Sequence, residues 1–253
     1  MAVPRLLIDQ SLAPGAEIAL DENQARHVGT VLRLELGDEL RVFNAQDGEW
    51  RAVISAKSKR GLSVRVEAFV RAARAVPDLD LLFAPVKRHA TDLIIEKAAE
   101  LGVARIRPVI TQRTIAETVR LDRLQAIARE GAEQTERFDA PEVADAVPLA
   151  KALDGWDAGR PLIYADEAGD DVTQPWGGAS GRAAPLASVV ANLQTQKLAL
   201  LIGPEGGFSP EERRMLRALP FVKPVSLGPR ILRAETAVIA ALSVIQSAWG
   251  DWR

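Results

Sequence analysis

The stretch that decides the fold is LALLIGPEGGFSPEE, residues 198–212. Its first five residues, LALLI, predict a buried strand, which ends in the turn GPEGG, and a helix begins directly afterwards. Ser209 is the predicted N-cap of that helix, Pro210 takes its first position and Glu212 completes a capping box. Glycines at the carboxyl end of a parallel strand let the backbone approach a ligand closely, and open α/β sheets bind ligands at this edge. The stretch therefore predicts a parallel sheet with a ligand site at the turn.

The turn lacks the motifs that bind nucleoside phosphates. A P-loop needs a lysine followed by a hydroxyl residue after the glycines, and a dinucleotide site needs GxGxxG; neither pattern is present. A nicotinamide oxidoreductase would also need an acidic residue about 20 residues further on, and none fits. A purely structural strand-to-helix turn remains the alternative interpretation.

A second loop, SLGPRILRAETA at residues 226–237, follows the apolar run PVSL and leads into the last predicted helix. The helix dipole favours acidic residues near the amino end, so Arg230 and Arg233 are electrostatically misplaced there. Local helix stability does not explain the two arginines, whereas an anionic ligand would.

The rest of the chain divides at residues 71–80, RAARAVPDLD, which contain a proline and no apolar periodicity. Before this linker, short alternating runs separated by turns such as Asp47-Gly48 predict a small β-rich domain. After it, apolar strands alternate with amphipathic helices, which predicts a parallel sheet covered by helices. The segment 169–181, rich in Gly, Asp and Pro, is predicted to be a loop insertion.

Composition excludes several classes of protein. The 253 residues are 47% hydrophobic and 26% charged, which is typical of a globular chain of one or two domains. With no cysteine and only His27 and His89, disulfides and a local zinc motif are excluded, and no metal is predicted. No signal peptide and no membrane-length apolar run are found, so a cytoplasmic protein without a membrane partner is predicted.

Charge is unevenly distributed although the net formal charge is only -2. Residues 51–74 contain seven basic residues and one acid, whereas residues 139–171 contain nine acids and two basic residues. The basic run indicates either an RNA-binding surface or an ordinary solvated strand face.

Together, GPEGGFSPEE and SLGPRILRAETA resemble the paired C-terminal motifs of the ribosomal RNA small subunit methyltransferase E family, within the SPOUT superfamily. HVGTVLRLELGDEL, at 27–40, is similar to that family's PUA-like domain, and IIEKAAELGV and EGAEQTER match other family segments. The resemblance implies a PUA-like, small β-barrel, RNA-binding domain over 1–74. A SPOUT methyltransferase domain would follow over 75–253, with an α/β fold, a parallel sheet and a C-terminal trefoil knot. Local sequence patterns do not predict such a knot, because true knots are rare.

The family implies methyl transfer from S-adenosylmethionine to N3 of a uridine in 16S rRNA, by a homodimer acting on 16S rRNA or the 30S subunit. Since this cofactor carries a sulfonium and no phosphate, a glycine turn without a P-loop lysine suits it. Cofactor binding is carried over by similarity onto Gly203, Pro204, Glu205, Gly206, Gly207, Ser226, Leu227, Gly228, Ile231 and Leu232.

Methylation at N3 requires loss of the N3 proton, so the site needs a base or a group that stabilises the uracil anion. Arg233 is the candidate for the stabilising charge, and Glu205 and Glu235 are the candidate bases. Ala234 stands where the family more often has threonine, so a hydroxyl is not indispensable at that position.

Basic residues in family-like segments are candidates for contacts with RNA phosphates. They are Arg5, Arg26, Arg33, Lys87, Lys97, Arg113 and Arg137. Lys97 lies on the apolar stripe of its predicted helix, where a lysine whose stem covers apolar surface is the alternative. Both histidines are expected to be structural or surface residues.

Two other functions stay open at this point. A SPOUT enzyme could methylate a ribose 2′-hydroxyl of rRNA or tRNA with the same fold and cofactor. A non-catalytic RNA-binding protein would be expected to have a degenerate glycine turn, whereas the turn here is intact. The target uridine, the general base, the dimer geometry and the choice between naked rRNA and assembled subunit are not decided by the sequence.

Overall fold

A computed structural model describes residues 3–58, 61–115, 119–166 and 183–252. The chain forms two units, one of residues 1–75 with 132–139 and the other of residues 76–131 with 140–253. Residues 132–139 fall within the second domain predicted from the sequence, yet they pack with the first unit.

The first unit is built on a five-stranded sheet with the order β1-β3-β4-β5-β2. β1 pairs in parallel with β3, and the other pairs are antiparallel. The turn between β3 and β4 ends at Gly48, whose φ of +80° favours glycine. The strands are β1 (Arg5–Leu7), β2 (Glu17–Ala19), β3 (Glu39–Asn44), β4 (Gly48–Ser58) and β5 (Gly61–Arg71). A short helix α1 (Glu22–Arg26) continues into a π-helical turn (His27–Val31) after β2.

A buried carboxylate organises the first unit. Glu49 is only 4% exposed and pairs with Arg5 at 2.9 Å and with Arg71. The guanidinium of Arg5 also lies 4.1 Å from the ring centre of Phe43 and donates to the backbone oxygen of Glu133. Burial raises the pKa of Glu49, but hydrogen bonds and charge from the two arginines outweigh it and hold the pKa below its usual value.

This ion pair predicts acid-sensitive stability. Because the Glu49 pKa is lower in the folded state, its stabilising contribution is present above the unfolded pKa, about 4.3, and is lost as pH falls from there through the lower folded value. We expect the urea midpoint difference between wild type and Glu49→Gln to be large at pH 7 and to shrink towards pH 3. Glu35→Gln, at an exposed carboxylate paired with Lys57, is the control with little effect at either pH. A pH-independent difference would contradict the expectation.

The second unit contains the predicted parallel sheet, which is confirmed. Its strand order is β12-β10-β11-β6-β7-β8, with β9 also pairing with β7, and every pair is parallel. The strands are β6 (Asp78–Phe83), β7 (Arg105–Ile110), β8 (Glu142–Val143), β9 (Val147–Pro148), β10 (Leu162–Ala165), β11 (Lys197–Ile202) and β12 (Val222–Val225). The helices are α2 (Arg88–Glu100), α3 (Leu121–Gln134), α4 (Leu149–Leu153), α5 (Leu186–Ala191), α6 (Pro210–Ala218) and α7 (Ala234–Ala248).

Helices cover both faces of this sheet, which explains why its strands read as continuous apolar runs. On one face Leu198 and Leu200 pack in a cluster with α2, α5 and α7. On the other face Ala199 and Leu201 pack in a cluster with α4 and α6. Adjacent residues of β11 thus pack against helices on opposite faces of the sheet, as the two-residue period of a strand requires.

The carboxyl ends of β10, β11 and β12 lie side by side and carry the loops singled out in the sequence. After β12, Ser226 bridges to Pro185 just before α5, and the chain then enters α7. The trefoil knot stays a prediction, because the predicted loop 169–181 between β10 and α5 lies outside the described residues. Among the described residues, none of the helices combines the length and hydrophobicity that a membrane span requires.

Candidate active site

The glycine turn is held rigidly between β11 and α6. Ser209 Oγ accepts from the Glu212 N–H at 3.1 Å, and Glu212 Oε2 accepts from the Ser209 N–H at 2.9 Å, so the predicted capping box is confirmed. Within the turn, the Gly207 N–H donates to the Pro204 oxygen at 2.9 Å, and Gly207 has a φ of +67°. These hydrogen bonds therefore define the shape of the turn.

Gly203 packs too closely to tolerate a side chain. A Cβ added there would lie 2.6 Å from the ring of Phe208, which is buried against the edge of Tyr164. We expect Gly203→Ala to destabilise the fold by about 1–3 kcal/mol through overpacking, measured by thermal unfolding. Gly206→Ala is the matched control, since its nearest neighbour would lie at an ordinary 3.5 Å. Equal stability of the two variants would contradict this account.

The glycine turn and the 226–237 loop enclose one cavity of about 570 Å³. The structure brings into its lining all three predicted catalytic residues and eight of the ten predicted cofactor residues. These are Arg233, Glu205 and Glu235 together with Gly203, Pro204, Ser226, Leu227, Gly228, Ile231 and Leu232. Gly206 and Gly207 belong to the same turn but are not part of the lining.

The cavity wall is more apolar than polar, and it also includes several charged side chains. Ile202 and Val225, at the carboxyl ends of β11 and β12, form part of it, and Ile231 is 64% exposed towards solvent. Gly228 has a φ of +110° and open space where a Cβ would point. An apolar wall with accessible backbone groups and a few charges is typical of a pocket for a small organic ligand.

Sequence reasoning missed a buried ion cluster beside this cavity. Asp166 lines the cavity yet is only 3% exposed. Arg213 of α6 donates to both of its oxygens at 3.1 Å, and Arg217 donates to Oδ2 at 3.0 and 2.6 Å. Burial lowers the pKa of Arg213, but Asp166 and, to a smaller extent, Tyr164 more than offset this and leave that pKa above its usual value. The signal in the sequence was an aspartate directly after PLIYA, with two arginines four positions apart on one helix.

The glycine turn is also tied to the loop that follows β7. The Gln112 N–H donates to Glu212 Oε1 at 2.8 Å, and Arg113 donates to the Gly206 oxygen at 2.9 Å. Arg113, a candidate for RNA contact, thus contributes to the shape of the turn.

Comparison with known proteins assigns the family. Residues 74–246 match an RNA methyltransferase domain, and residues 20–67 match an RNA methyltransferase PUA domain. The ribosomal RNA small subunit methyltransferase E of Rickettsia conorii is 31% identical over 247 residues, which cover 97% of this chain and 96% of that protein. The chain belongs to the ribosomal RNA small subunit methyltransferase E family. The resemblance of its two C-terminal motifs is thereby confirmed.

Two solved structures are similar to this methyltransferase E family member along its whole length. A Legionella pneumophila protein in complex with S-adenosylmethionine is 32% identical, covers 99% of this chain and 100% of its own, and has a TM-score of 0.84. The methyltransferase E of Neisseria gonorrhoeae, bound to S-adenosylmethionine, is 26% identical with full coverage of both chains and a TM-score of 0.85.

The predicted RNA-binding residues of this methyltransferase are divided between the two units, and some of them are exposed. Arg26 and Arg33 are exposed in the first unit, and Arg33 has a left-handed φ of +56°. Lys87 is exposed at the start of α2 and lines the cavity. These side chains are accessible to a phosphate.

Three other candidates for RNA contact form ion pairs with acidic residues of the chain. Arg5 pairs with Glu49, and the Arg137 side chain is 5% exposed and pairs with Asp139 at 3.2 Å. Lys97 pairs with Glu100 at 2.6 Å and Glu96 at 2.8 Å, which raises its pKa. An RNA contact by Arg5 or Arg137 would require breaking a buried pair.

Proposed function

We propose that this methyltransferase transfers a methyl group from S-adenosylmethionine to N3 of a uridine in 16S rRNA of the small ribosomal subunit. The observation that carries the proposal is the single cavity formed by the two family motifs, at the carboxyl ends of β10, β11 and β12. The full-length similarity to a methyltransferase E bound to S-adenosylmethionine supports the cofactor.

The residues present fit this cofactor. The volume of about 570 Å³ lies in the usual range for small-molecule pockets, about 300–1,000 Å³. Leu227, Ile231 and Leu232 offer apolar surface to an adenine ring, and the backbone around Gly228 is open to it. When bound, the cofactor supplies an electrophilic methyl group. The chain's contribution is to hold the acceptor and to remove its proton.

Charged residues around the cavity suit methylation of a ring nitrogen. Uracil N3 must lose its proton to become nucleophilic, which calls for a carboxylate base. Glu205 and Glu235 supply that chemistry, and Arg233 supplies positive charge beside the developing uracil anion. Within the described part of the chain, none of these three side chains has an ion-pair partner that would hold it away from substrate.

The family resemblance supports three further parts of the proposal. The protein acts as a homodimer in the cytoplasm, its substrate is 16S rRNA or the 30S subunit, and its first unit, which matches a PUA domain, contributes RNA contacts.

The test is methyl transfer from labelled S-adenosylmethionine to small subunits from a strain lacking the modification, followed by nucleoside mass spectrometry. We expect labelled 3-methyluridine, and no label on subunits that already carry the modification. A 2′-O-methylated nucleoside would replace the N3 assignment by ribose methylation. Cofactor binding without any transfer to naked rRNA or subunits would point to a different RNA substrate or to a missing assembly partner.

A further inference from the structure

A second cavity of about 500 Å³ adjoins the cofactor cavity. The two cavities share Lys87, Pro204 and Glu205 in their linings. Val86, Val119 and Leu124 give the second cavity apolar walls. Its size and lining suit a planar ring of nucleoside dimensions.

The amino end of α2 makes one side of this cavity positively charged. Lys87 is the N-cap of α2 and gives no side-chain hydrogen bond to the helix, Arg88 follows it, and the first turn has no acid. Cations at this end oppose the helix dipole, and the N–H groups of the first turn have no partners within the helix. An anion placed there would offset both costs.

Asp92, an acidic residue in the lining of this cavity, is already ion-paired. Asp92 accepts from Arg123 of α3, a bond that lowers the Asp92 pKa and keeps the carboxylate charged. Lys87 and Arg88 favour a phosphate at this end of the cavity, whereas Glu205, the other acidic residue of the lining, belongs to the part that the two cavities share.

We propose that the second cavity receives the target uridine and that Glu205 is the base that takes its N3 proton. The proposal rests on the proposed methyl transfer. Uracil lies between the apolar walls, and its phosphate lies at the amino end of α2. Of the three catalytic candidates, Glu205 alone belongs to the lining of both cavities, whereas Arg233 and Glu235 line the cofactor cavity. The base must lie where the two cavities meet, because the acceptor nitrogen in the second cavity has to face the methyl group in the cofactor cavity.

The reaction balances with Glu205 as base. The N3 proton passes to the Glu205 carboxylate, and the N3 electron pair forms the new bond to the methyl carbon. The electrons of the broken sulfur–carbon bond stay on sulfur, so the sulfonium becomes a neutral thioether. The positive charge of the donor and the negative charge of the uracil anion are both consumed, which an apolar cavity favours.

The test of the base is the pH dependence of Glu205→Gln. At neutral pH and saturating S-adenosylmethionine, we expect single-turnover formation of 3-methyluridine to fall about 10²–10⁴-fold. At alkaline pH, uracil ionises without a base, so the variant's rate should rise about tenfold per pH unit while the wild-type rate stays flat.

Other groups do not account for that rise. The charged groups around the second cavity are Lys87, Arg88, Asp92, Arg120 and Arg123. From the cofactor side His89, Asp166, Arg230, Arg233 and Glu235 face the turn. All of these groups are also present in Glu235→Gln, apart from the replaced carboxylate itself, so an alkaline rise confined to Glu205→Gln does not come from them. Glu235→Gln, whose carboxylate is confined to the cofactor side, should show no alkaline rise.

The test of the cavity uses uridine 5′-monophosphate as probe, with the enzyme saturated with S-adenosylhomocysteine. We expect saturation-transfer NMR contacts to the probe, lost in Val119→Trp and weakened about tenfold in Arg88→Gln. Arg214→Gln, on α6 and 72% exposed at its side chain, is the matched control and should bind like wild type.

The outcomes separate this proposal from the proposed function. Wild type that forms no 3-methyluridine overturns the function. Wild type that forms it, with Glu205→Gln fully active or with no alkaline rise, overturns Glu205 as base. Probe binding that Val119→Trp and Arg88→Gln leave unchanged overturns the cavity assignment.

Discussion

Replacing Asp166 with alanine should cost about 3–5 kcal/mol of unfolding free energy, because it leaves buried arginines without their counterion. The Asp166 side chain is 1% exposed, and that of Arg213 is 8% exposed. Arg217, at 27%, can turn partly towards water. The free energy is measured by urea denaturation at neutral pH.

Two controls separate this effect from the general effect of removing an acidic side chain. Asp157→Ala removes an exposed carboxylate that pairs with Lys197 and should change stability by less than about 1 kcal/mol. Arg213→Met combined with Asp166→Leu replaces the pair by apolar groups and should recover part of the loss. If Asp166→Ala is as stable as Asp157→Ala, the cluster does not stabilise the fold.

The Asp166 cluster also has a consequence for the active site. It joins the end of β10 to α6, and α6 begins where the glycine turn ends. Loss of the Asp166 cluster should therefore also weaken S-adenosylmethionine binding by the folded protein, measured in the absence of urea.

The parallel sheet and the capping box were predictable because each is encoded locally. A strand buried on both faces must be apolar throughout, as LALLI is. A serine three residues before a glutamate, at the start of a helix, predicts the two reciprocal hydrogen bonds of a capping box. The close pairing of the two motif loops came from family resemblance, since local patterns do not say which strands lie side by side. β12 lies beside β10, although β11 precedes it in the chain.

Partnerships between distant residues were not predictable. Asp166 and Arg213 are 47 positions apart, and Arg5 and Glu49 are 44 apart. The sequence shows that each is charged, but not that folding pairs and buries it. For the same reason Arg5 and Arg137 read as surface cations, whereas the structure places both in internal ion pairs. Segment 132–139 likewise gives no local sign that it packs with the first unit.

Replacing Arg233 with alanine should lower turnover about 10²–10³-fold with little change in stability or cofactor affinity. Arg233 is the exposed N-cap residue of α7 and makes no side-chain capping bond. Its charge opposes the dipole at this helix end, so its removal should leave the fold intact or slightly stabilise it. The cation at this position is therefore explained by the negative charge that develops on uracil and not by the stability of the helix.

The measurement is the single-turnover rate of 3-methyluridine formation, with S-adenosylmethionine affinity from calorimetry. Arg233→Lys keeps the charge but loses the planar guanidinium, so it should recover part of the rate. Arg214→Ala, an exposed arginine on α6, should leave the rate unchanged. An Arg233→Ala rate equal to wild type would remove this residue from the mechanism. A loss confined to cofactor affinity would make it a binding residue, because charge stabilisation in the transition state acts on rate rather than on ground-state binding.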